Sequence, residues 1–235
     1  MSSTSNASED ESEVQTLVLR VPVDENNRNG VLLVPRSSVA VRPMQVVVVH
    51  GAIPTALYRR FQRLADYGNR SEGLFSLTRV PEDVRWYNAC ESPILSVDDD
   101  PMGLRVVGSV MDVGEGEDAR GVFIDIDPLR AIDHEGMHRM YEMARPAPAE
   151  LAETMRLHWI PETEGDYAKE VVPVYDATHR LRPAAFMETM PFSELKVGDV
   201  VVADCVVYKS QHRYGWDVVF SLVTVAVLAQ VPRQN

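Results

Sequence analysis

The clearest pattern of hydrophobic and polar positions lies near the C-terminus, in residues 200–208. These residues are mostly β-branched, and no Pro or Gly interrupts them, which predicts a β-strand. Apolar side chains occupy both of its faces, so we expect a central position in a sheet. The two faces consist of Val201, Ala203, Cys205 and Val207 on one side, and of Val200, Val202, Val206 and Tyr208 with Asp204 on the other.

A second strand, residues 216–228, follows a polar segment that ends in Gly215, so the two strands should form a long hairpin. A turn at residues 196–199 precedes it, in which Gly198 can adopt a positive φ and Asp199 can bond its own backbone. Long paired strands coil, and a coiled sheet closes into a small barrel or wraps around a helix. Alternation predicts one face with Trp216, Val218, Phe220, Leu222, Ala226 and Leu228, and another with Val219, Val223, Val225 and Val227.

Further hairpins are predicted earlier in the chain. Residues 104–113 and 121–127 both alternate between apolar and polar positions and are joined by a Gly-containing acidic segment. Asn29-Gly30, a strong signal for a tight turn, separates residues 14–23 from residues 31–35. We therefore expect two more antiparallel pairs before the C-terminal one.

Helices are predicted where apolar residues recur at helical spacing, in residues 54–67, 129–144 and 149–158. Together with the hairpins, they indicate a mainly β or α+β fold. The expected architecture is a curled sheet of antiparallel hairpins, or a small barrel like that of the oligonucleotide-binding (OB) fold, with two or three covering helices.

The composition is that of an ordinary globular protein, with 235 residues of which 45% are hydrophobic and 25% charged. We expect a disordered acidic tail over residues 1–13 and a single α+β domain over residues 14–235, with a subdivision near residues 145–170 left open. Apolar runs are shorter than the ~20 residues of a membrane helix, which predicts no membrane association. Two cysteines, Cys90 and Cys205, and the lack of a secretory signal predict an intracellular protein of the cytoplasm or nucleus.

The net charge of −12 argues against strong nonspecific binding to nucleic acid, because phosphate contacts need Lys and Arg. Four of the negative charges lie in residues 1–13, which leaves −8 for the rest of the chain. A local basic face is still compatible with this balance. The densest basic patch is Arg59, Arg60 and Arg63 on the predicted first helix, for which a solvated helix face is favoured over a phosphate contact surface.

Aromatic and basic side chains cluster near the tip of the C-terminal hairpin. Aromatic rings beside cations can stack nucleic-acid bases. This pattern predicts a non-enzymatic binding module without a cofactor, whose ligand is either a protein partner or a single-stranded nucleic acid. The candidate binding residues are Tyr208, Lys209, Arg213, Tyr214 and Trp216.

The alternative prediction is a zinc-dependent hydrolase. His134, Glu135 and His138 fit the H-E-x-x-H pattern, in which both imidazoles bind zinc and the glutamate acts as general base on the metal-bound water. Gly136 weakens the helix that must hold the ligands. Charged neighbours of the histidines and the lack of a marked third ligand also favour an ordinary amphipathic helix.

Several segments together resemble a large family of uncharacterised proteins from basidiomycete fungi. The similarity lies mainly in the last sixty or so residues, at positions 173–178, 194–209 and 216–222, with weaker similarity at 50–54 and 133–137. The family pattern has an Arg before the Tyr-Lys pair, which this chain lacks at Tyr208-Lys209. Because the family has no established activity, the resemblance implies a grouping and no function.

Overall fold

The structure, a computed structural model, describes residues 17–22, 44–49, 55–88, 92–115, 121–144, 153–159, 172–212 and 215–230. The helices in these ranges are α1 (Thr55–Ala65) and α2 (Ala131–Ala144). The strands are β1 (Leu17–Pro22), β2 (Met44–Val49), β3 (Gly68–Asn69), β4 (Leu74–Ser76), β5 (Arg85–Tyr87), β6 (Ile94–Val97), β7 (Asp100–Pro101), β8 (Gly103–Glu115), β9 (Val122–Pro128), β10 (Met155–Trp159), β11 (Val174–Asp176), β12 (Glu188–Met190), β13 (Val200–His212) and β14 (Gly215–Ala229).

Five of the strands pair in a closed ring, in the order β8, β9, β10, β14, β13 and back to β8. All neighbours in the ring are antiparallel except β10 and β14, which are parallel. A closed five-stranded ring with this mixture of pairings is an OB-like barrel. The predicted mainly β fold with a small barrel and covering helices is therefore confirmed.

β13 is the central strand that its sequence predicts, since it pairs with β8 on one side and β14 on the other. Its two apolar faces line two different cores. Val201, Ala203, Cys205 and Val207 point into the barrel, whereas Val200 and Val202 contribute to a second cluster outside it. Burial raises the pKa of the Cys205 thiol strongly, so this side chain is an inert core residue.

β14 departs from the strict alternation that its sequence suggests. Asp204 pairs with Thr224 and Cys205 with Leu222, so Val223 is an extra residue that forms a β-bulge. The bulge reverses the inward and outward sides of the strand. Consequently the predicted face that joined Ala226 and Leu228 to Phe220 is wrong: Phe220, Leu222, Val225 and Val227 line the barrel, while Ala226 and Leu228 lie in the outer cluster.

The two helices cover different parts of the barrel. α2 contributes Met137 and Met140 to the barrel core, and the Tyr141 ring meets Phe220 edge-on at 5.3 Å between centroids. α1 packs Phe61 and Ala65 against the outer cluster. The predicted spans 54–67 and 129–144 thus correspond to α1 and α2, and neither described helix is long and apolar enough to cross a membrane.

The predicted helix over residues 149–158 is wrong where the structure describes it. Met155–Trp159 is the barrel strand β10, with Met155 and Leu157 buried in the core and Arg156 exposed between them. This alternation fits a strand bonded to neighbours on both sides. The tertiary pairing overrides a helical spacing that also suits these residues.

The N-terminal hairpin is only partly described. Leu17–Pro22 pairs antiparallel with Met44–Val49. The predicted partner strand at residues 31–35 lies outside the described residues. The acidic tail at 1–13 also lies outside them. The predicted hairpin of 104–113 and 121–127 is confirmed as β8 and β9.

Candidate functional site

The C-terminal hairpin extends beyond the barrel ring. Pairing of β13 with β8 ends at Val206, and further on β13 bonds to β14 and, at Tyr208, to β6. We call the described residues 207–212 and 215–219 the hairpin arm. Its base is flanked by β5 and β6, which pair with each other.

One face of the arm combines a cation with indole rings. The Lys209 ammonium lies 4.6 Å from the centroid of the Trp86 ring, and the Trp86 indole Nε1 donates to the Met143 carbonyl oxygen at 3.2 Å. Lys209 pairs with Val218, which places Trp216 diagonally beside it on the same face. The Trp216 side chain is 38% exposed, so an aromatic surface remains open to a ligand next to the cation.

The opposite face of the arm carries tyrosines. Ile94 pairs with Tyr87 on one side and with Tyr208 on the other, so the two tyrosines flank it in one row across three strands. Ile94 is buried, whereas Tyr87 is 39% exposed and Tyr208 is half-buried. Both faces of the arm therefore present aromatic rings.

The structure separates the predicted binding residues. Lys209 and Trp216 share one face, and Tyr208 lies on the other, while Arg213 and Tyr214 lie outside the described residues. Sequence reasoning missed Trp86 and Tyr87, which complete the two faces. They belong to β5, a short strand far from the hairpin in the sequence. The only local signal for these residues was that two aromatic side chains stand next to each other.

The outer face of β9 and β10, where OB barrels commonly bind oligonucleotides, is electrostatically neutralised here. Arg156 donates from Nε and Nη2 to the two carboxylate oxygens of Asp125 at 2.8 and 2.7 Å. Its guanidinium carbon also lies 4.3 Å from the Phe123 ring centroid. Because Asp125 occupies the Arg156 guanidinium and Asp127 adds a second carboxylate on the same strand, this face offers little attraction to a phosphate backbone.

The H-E-x-x-H residues lie on α2, with His134 Nε2 at 3.0 Å from Asp127 Oδ1. No group of three potential ligands that could hold a metal ion occurs in the part of the chain that the structure describes. Gly136 has a packing role, because a Cβ there would lie 2.6 Å from the Leu77 carbonyl oxygen. The assignment of His134 and His138 as zinc ligands and of Glu135 as base stays a prediction.

No protein-family model matches the chain, and no curated protein matches it either. Among solved structures, it is similar to the single-stranded DNA-binding protein from bacteriophage Enc34, at 9% sequence identity and a TM-score of 0.30. The match covers 66% of this chain and 94% of that one. So low a TM-score does not establish a relationship between the two proteins. The geometry of the chain itself defines its class, which is a mainly β protein with a small closed barrel and a long hairpin arm.

Proposed function

We propose that this protein is a non-enzymatic module that binds single-stranded nucleic acid on its hairpin arm. The observation that carries the proposal is the face of the arm that holds Lys209 and Trp216. The Lys209 ammonium lies over the Trp86 ring, and the partly exposed Trp216 is the diagonal neighbour of Lys209. Unpaired bases expose their π-faces, and an indole ring stacks on any of them. A cation beside the ring attracts the phosphate backbone.

The shape of the arm favours single strands over duplexes. Its aromatic rings lie on both faces of a two-stranded ribbon, with Trp216 on one face and Tyr208 on the other. In a duplex, base faces are stacked on one another and unavailable to such rings, whereas a single strand can splay its bases. The proposed binding is therefore sequence-tolerant and involves no catalytic step and no cofactor.

The overall negative charge limits the proposed binding to places with local cations. At −12, the chain repels phosphates except beside residues such as Lys209. We expect the affinity for single strands to be salt-dependent, with log Kd rising by about 0.7 per phosphate contact for each unit of log salt concentration.

The test is a titration of a fluorescently labelled single-stranded oligonucleotide at low and physiological salt concentrations, monitored by anisotropy. Trp216→Ala should weaken binding by roughly 5- to 150-fold, since stacking of one base is worth about 1–3 kcal/mol. Trp216→Phe should restore part of the loss, because a smaller ring still stacks. Quenching of tryptophan fluorescence by the unlabelled strand gives a second, independent signal.

The matched control is Val223→Ala, which changes another exposed side chain of β14 outside the arm. It should bind like the wild type. If the wild type shows no binding at low salt, where phosphate contacts are strongest, the nucleic-acid proposal is wrong. The remaining ligand class for the arm would then be a protein partner.

A further inference from the structure

A second basic surface lies on the outside of the barrel, away from the arm. Arg60 of α1 donates from Nη1 to the Thr178 carbonyl oxygen at 2.9 Å and from Nη2 to the Ala177 carbonyl oxygen. These bonds fasten the helix to the segment that continues into residues 179–182. Arg63 follows Arg60 by about one turn of α1, so the two side chains are neighbours. The pKa of Arg60 is lowered mainly by burial and further by the charge of Arg63.

The exposed arginines on both sides of this junction make up what we call the arginine surface: Arg59, Arg63, Arg180 and Arg182. Within the ranges that the structure covers, none of the four forms an ion pair, although other arginines such as Arg70, Arg105 and Arg130 do. Asp66 lies beside Arg59 and Arg63, and Asp176 and Glu188 lie beside Arg180 and Arg182, so part of this charge is offset. In a chain with a net charge of −12, the surface is still a local excess of positive charge.

An exposed aromatic ring accompanies these cations. Phe186 is 73% exposed and lines a cleft of about 380 Å³ together with Arg180 and Arg182. Arg182 also borders a neighbouring cavity of about 240 Å³, whose floor includes Val202 on the outer face of β13. The surface thus offers both guanidinium groups for phosphates and a ring for a base.

Two carboxylates border the same cleft and define its limits. Asp176 accepts hydrogen bonds from the Thr178 amide and hydroxyl, each at 2.8 Å, and these bonds lower the pKa of Asp176 so that it stays ionised. Glu188 lines the cleft as well. A phosphate backbone is therefore expected to run along the arginine side and away from Glu188.

We infer that the arginine surface is a second contact for the same single strand, so that one strand reaches from Arg182 to the arm. This inference rests on the proposed function. Val202 and Tyr208 are separated by about 20 Å along the strand, from a rise of about 3.3 Å per residue. A single strand of the length that OB folds accommodate, about 4–16 nucleotides, can span this distance.

The experiment compares oligonucleotides of about 3 and about 16 nucleotides, since only the longer one reaches both surfaces. Two double variants, Arg59→Gln with Arg63→Gln and Arg180→Gln with Arg182→Gln, remove two cations each. Each should leave the affinity for the short strand unchanged and reduce the gain from length. The salt dependence of log Kd for the long strand should fall by about 1.4, at about 0.7 for each lost contact.

Two further variants separate a specific contact from a general effect of charge. Arg139→Gln removes an exposed cation on α2 and should change neither length dependence nor salt dependence. Glu188→Gln removes a carboxylate beside the arginines and should strengthen binding of the long strand, a gain that no damage to folding can imitate. Unchanged melting temperatures establish that every variant is folded.

Each outcome bears on one or both proposals. If the arginine double variants gain affinity with length as the wild type does, the inference is wrong and the arm proposal stands. If they lose binding while Trp216→Ala does not, the arginine surface is the binding site and the arm is not. If the wild type binds neither length at low salt, both proposals are wrong.

Discussion

Arg105 and Asp204 form two parallel hydrogen bonds across the seam between β8 and β13, from Nε to Oδ1 and from Nη2 to Oδ2, each 2.7 Å long. The two residues are direct partners in the strand register, and their side chains are only 12% and 24% exposed. Burial is the largest single influence and lowers the pKa of Arg105, but the hydrogen bonds and charge of Asp204, together with Tyr67 and Glu72, outweigh it, so this pKa is raised. The Tyr67 ring, 4.8 Å from the guanidinium carbon, covers the pair.

Because this ion pair is largely buried, removing one partner should be costly. Asp204→Ala leaves Arg105 without its carboxylate, and we expect the free energy of unfolding to fall by about 3 kcal/mol. Replacing both residues by Leu should cost clearly less, since no charge is then left buried. Urea denaturation of the single and double variants measures both values. The exposed Arg85, which pairs with Asp99, provides the control, and Arg85→Ala should cost less than about 1 kcal/mol.

Phe220 tests whether the C-terminal hairpin is part of the core. Its side chain is 1% exposed and meets Tyr141 edge-on, so Phe220→Ala should cost ~3–5 kcal/mol through lost transfer free energy and the cavity left behind. We expect an insoluble protein or a strongly lowered melting temperature. Val223→Ala, on the same strand but 48% exposed, should change the stability by less than about 0.5 kcal/mol. A soluble Phe220→Ala variant with an unchanged melting temperature would refute the packing described above.

Any side chain at Gly198 should lower the stability of the protein. It adopts a φ of 93° in the turn before β13, where its amide donates to the Val110 carbonyl oxygen at 2.7 Å. Asp199 completes the turn by accepting from the Lys196 amide at 3.0 Å, a local bond of the kind that the sequence predicted but to an earlier residue of the turn. Gly198→Ala should therefore lower the free energy of unfolding by about 1–2 kcal/mol, whereas the exposed Ser193→Ala should be neutral. Equal denaturation midpoints for the two variants would contradict the assigned turn.

The zinc prediction is decided by metal analysis. His134 Nε2 lies at 3.0 Å from Asp127 Oδ1, and no described group of three ligands includes it, so we expect added zinc to leave the melting temperature unchanged. Purified protein that holds about one zinc per chain, and loses it in the His138→Ala variant, would favour the hydrolase alternative with Glu135 as base. His179→Ala, which removes an exposed imidazole elsewhere, is the matched control.

Much of the barrel could be predicted from local sequence because its strands alternate cleanly. The two faces of β13 and the turn at Gly198 follow from β-branched spacing and from the freedom of glycine. β10 could not be predicted, since Leu151, Met155 and His158 also satisfy a helical spacing and only the bonds to β9 and β14 decide between the two. The bulge at Val223 likewise left no local signal, because every neighbouring residue suits either face.

The candidate site was predictable only in part, for a related reason. Aromatic and basic residues near the hairpin tip mark it in the sequence, but which of them share a face depends on long-range pairing. Trp86 and Tyr87 join Lys209 and Tyr208 through β6, a relation that no local pattern records. Of the arginine surface, the sequence predicted only the basic face of α1. Arg180 and Arg182 lie near that face because Arg60 bonds to the carbonyl oxygens of Ala177 and Thr178, a long-range contact that the sequence does not record.

Beyond its bulge, β14 contributes to two cores at once, with Val225 and Val227 in the barrel and Ala226 and Leu228 beneath α1. A strand that is shared in this way cannot leave one core while it stays in the other. Opening of the outer cluster must therefore disturb the barrel, and the amide protons of both regions should exchange with solvent in one cooperative event. Ligand binding on the outside of the barrel would then slow hydrogen exchange deep within it.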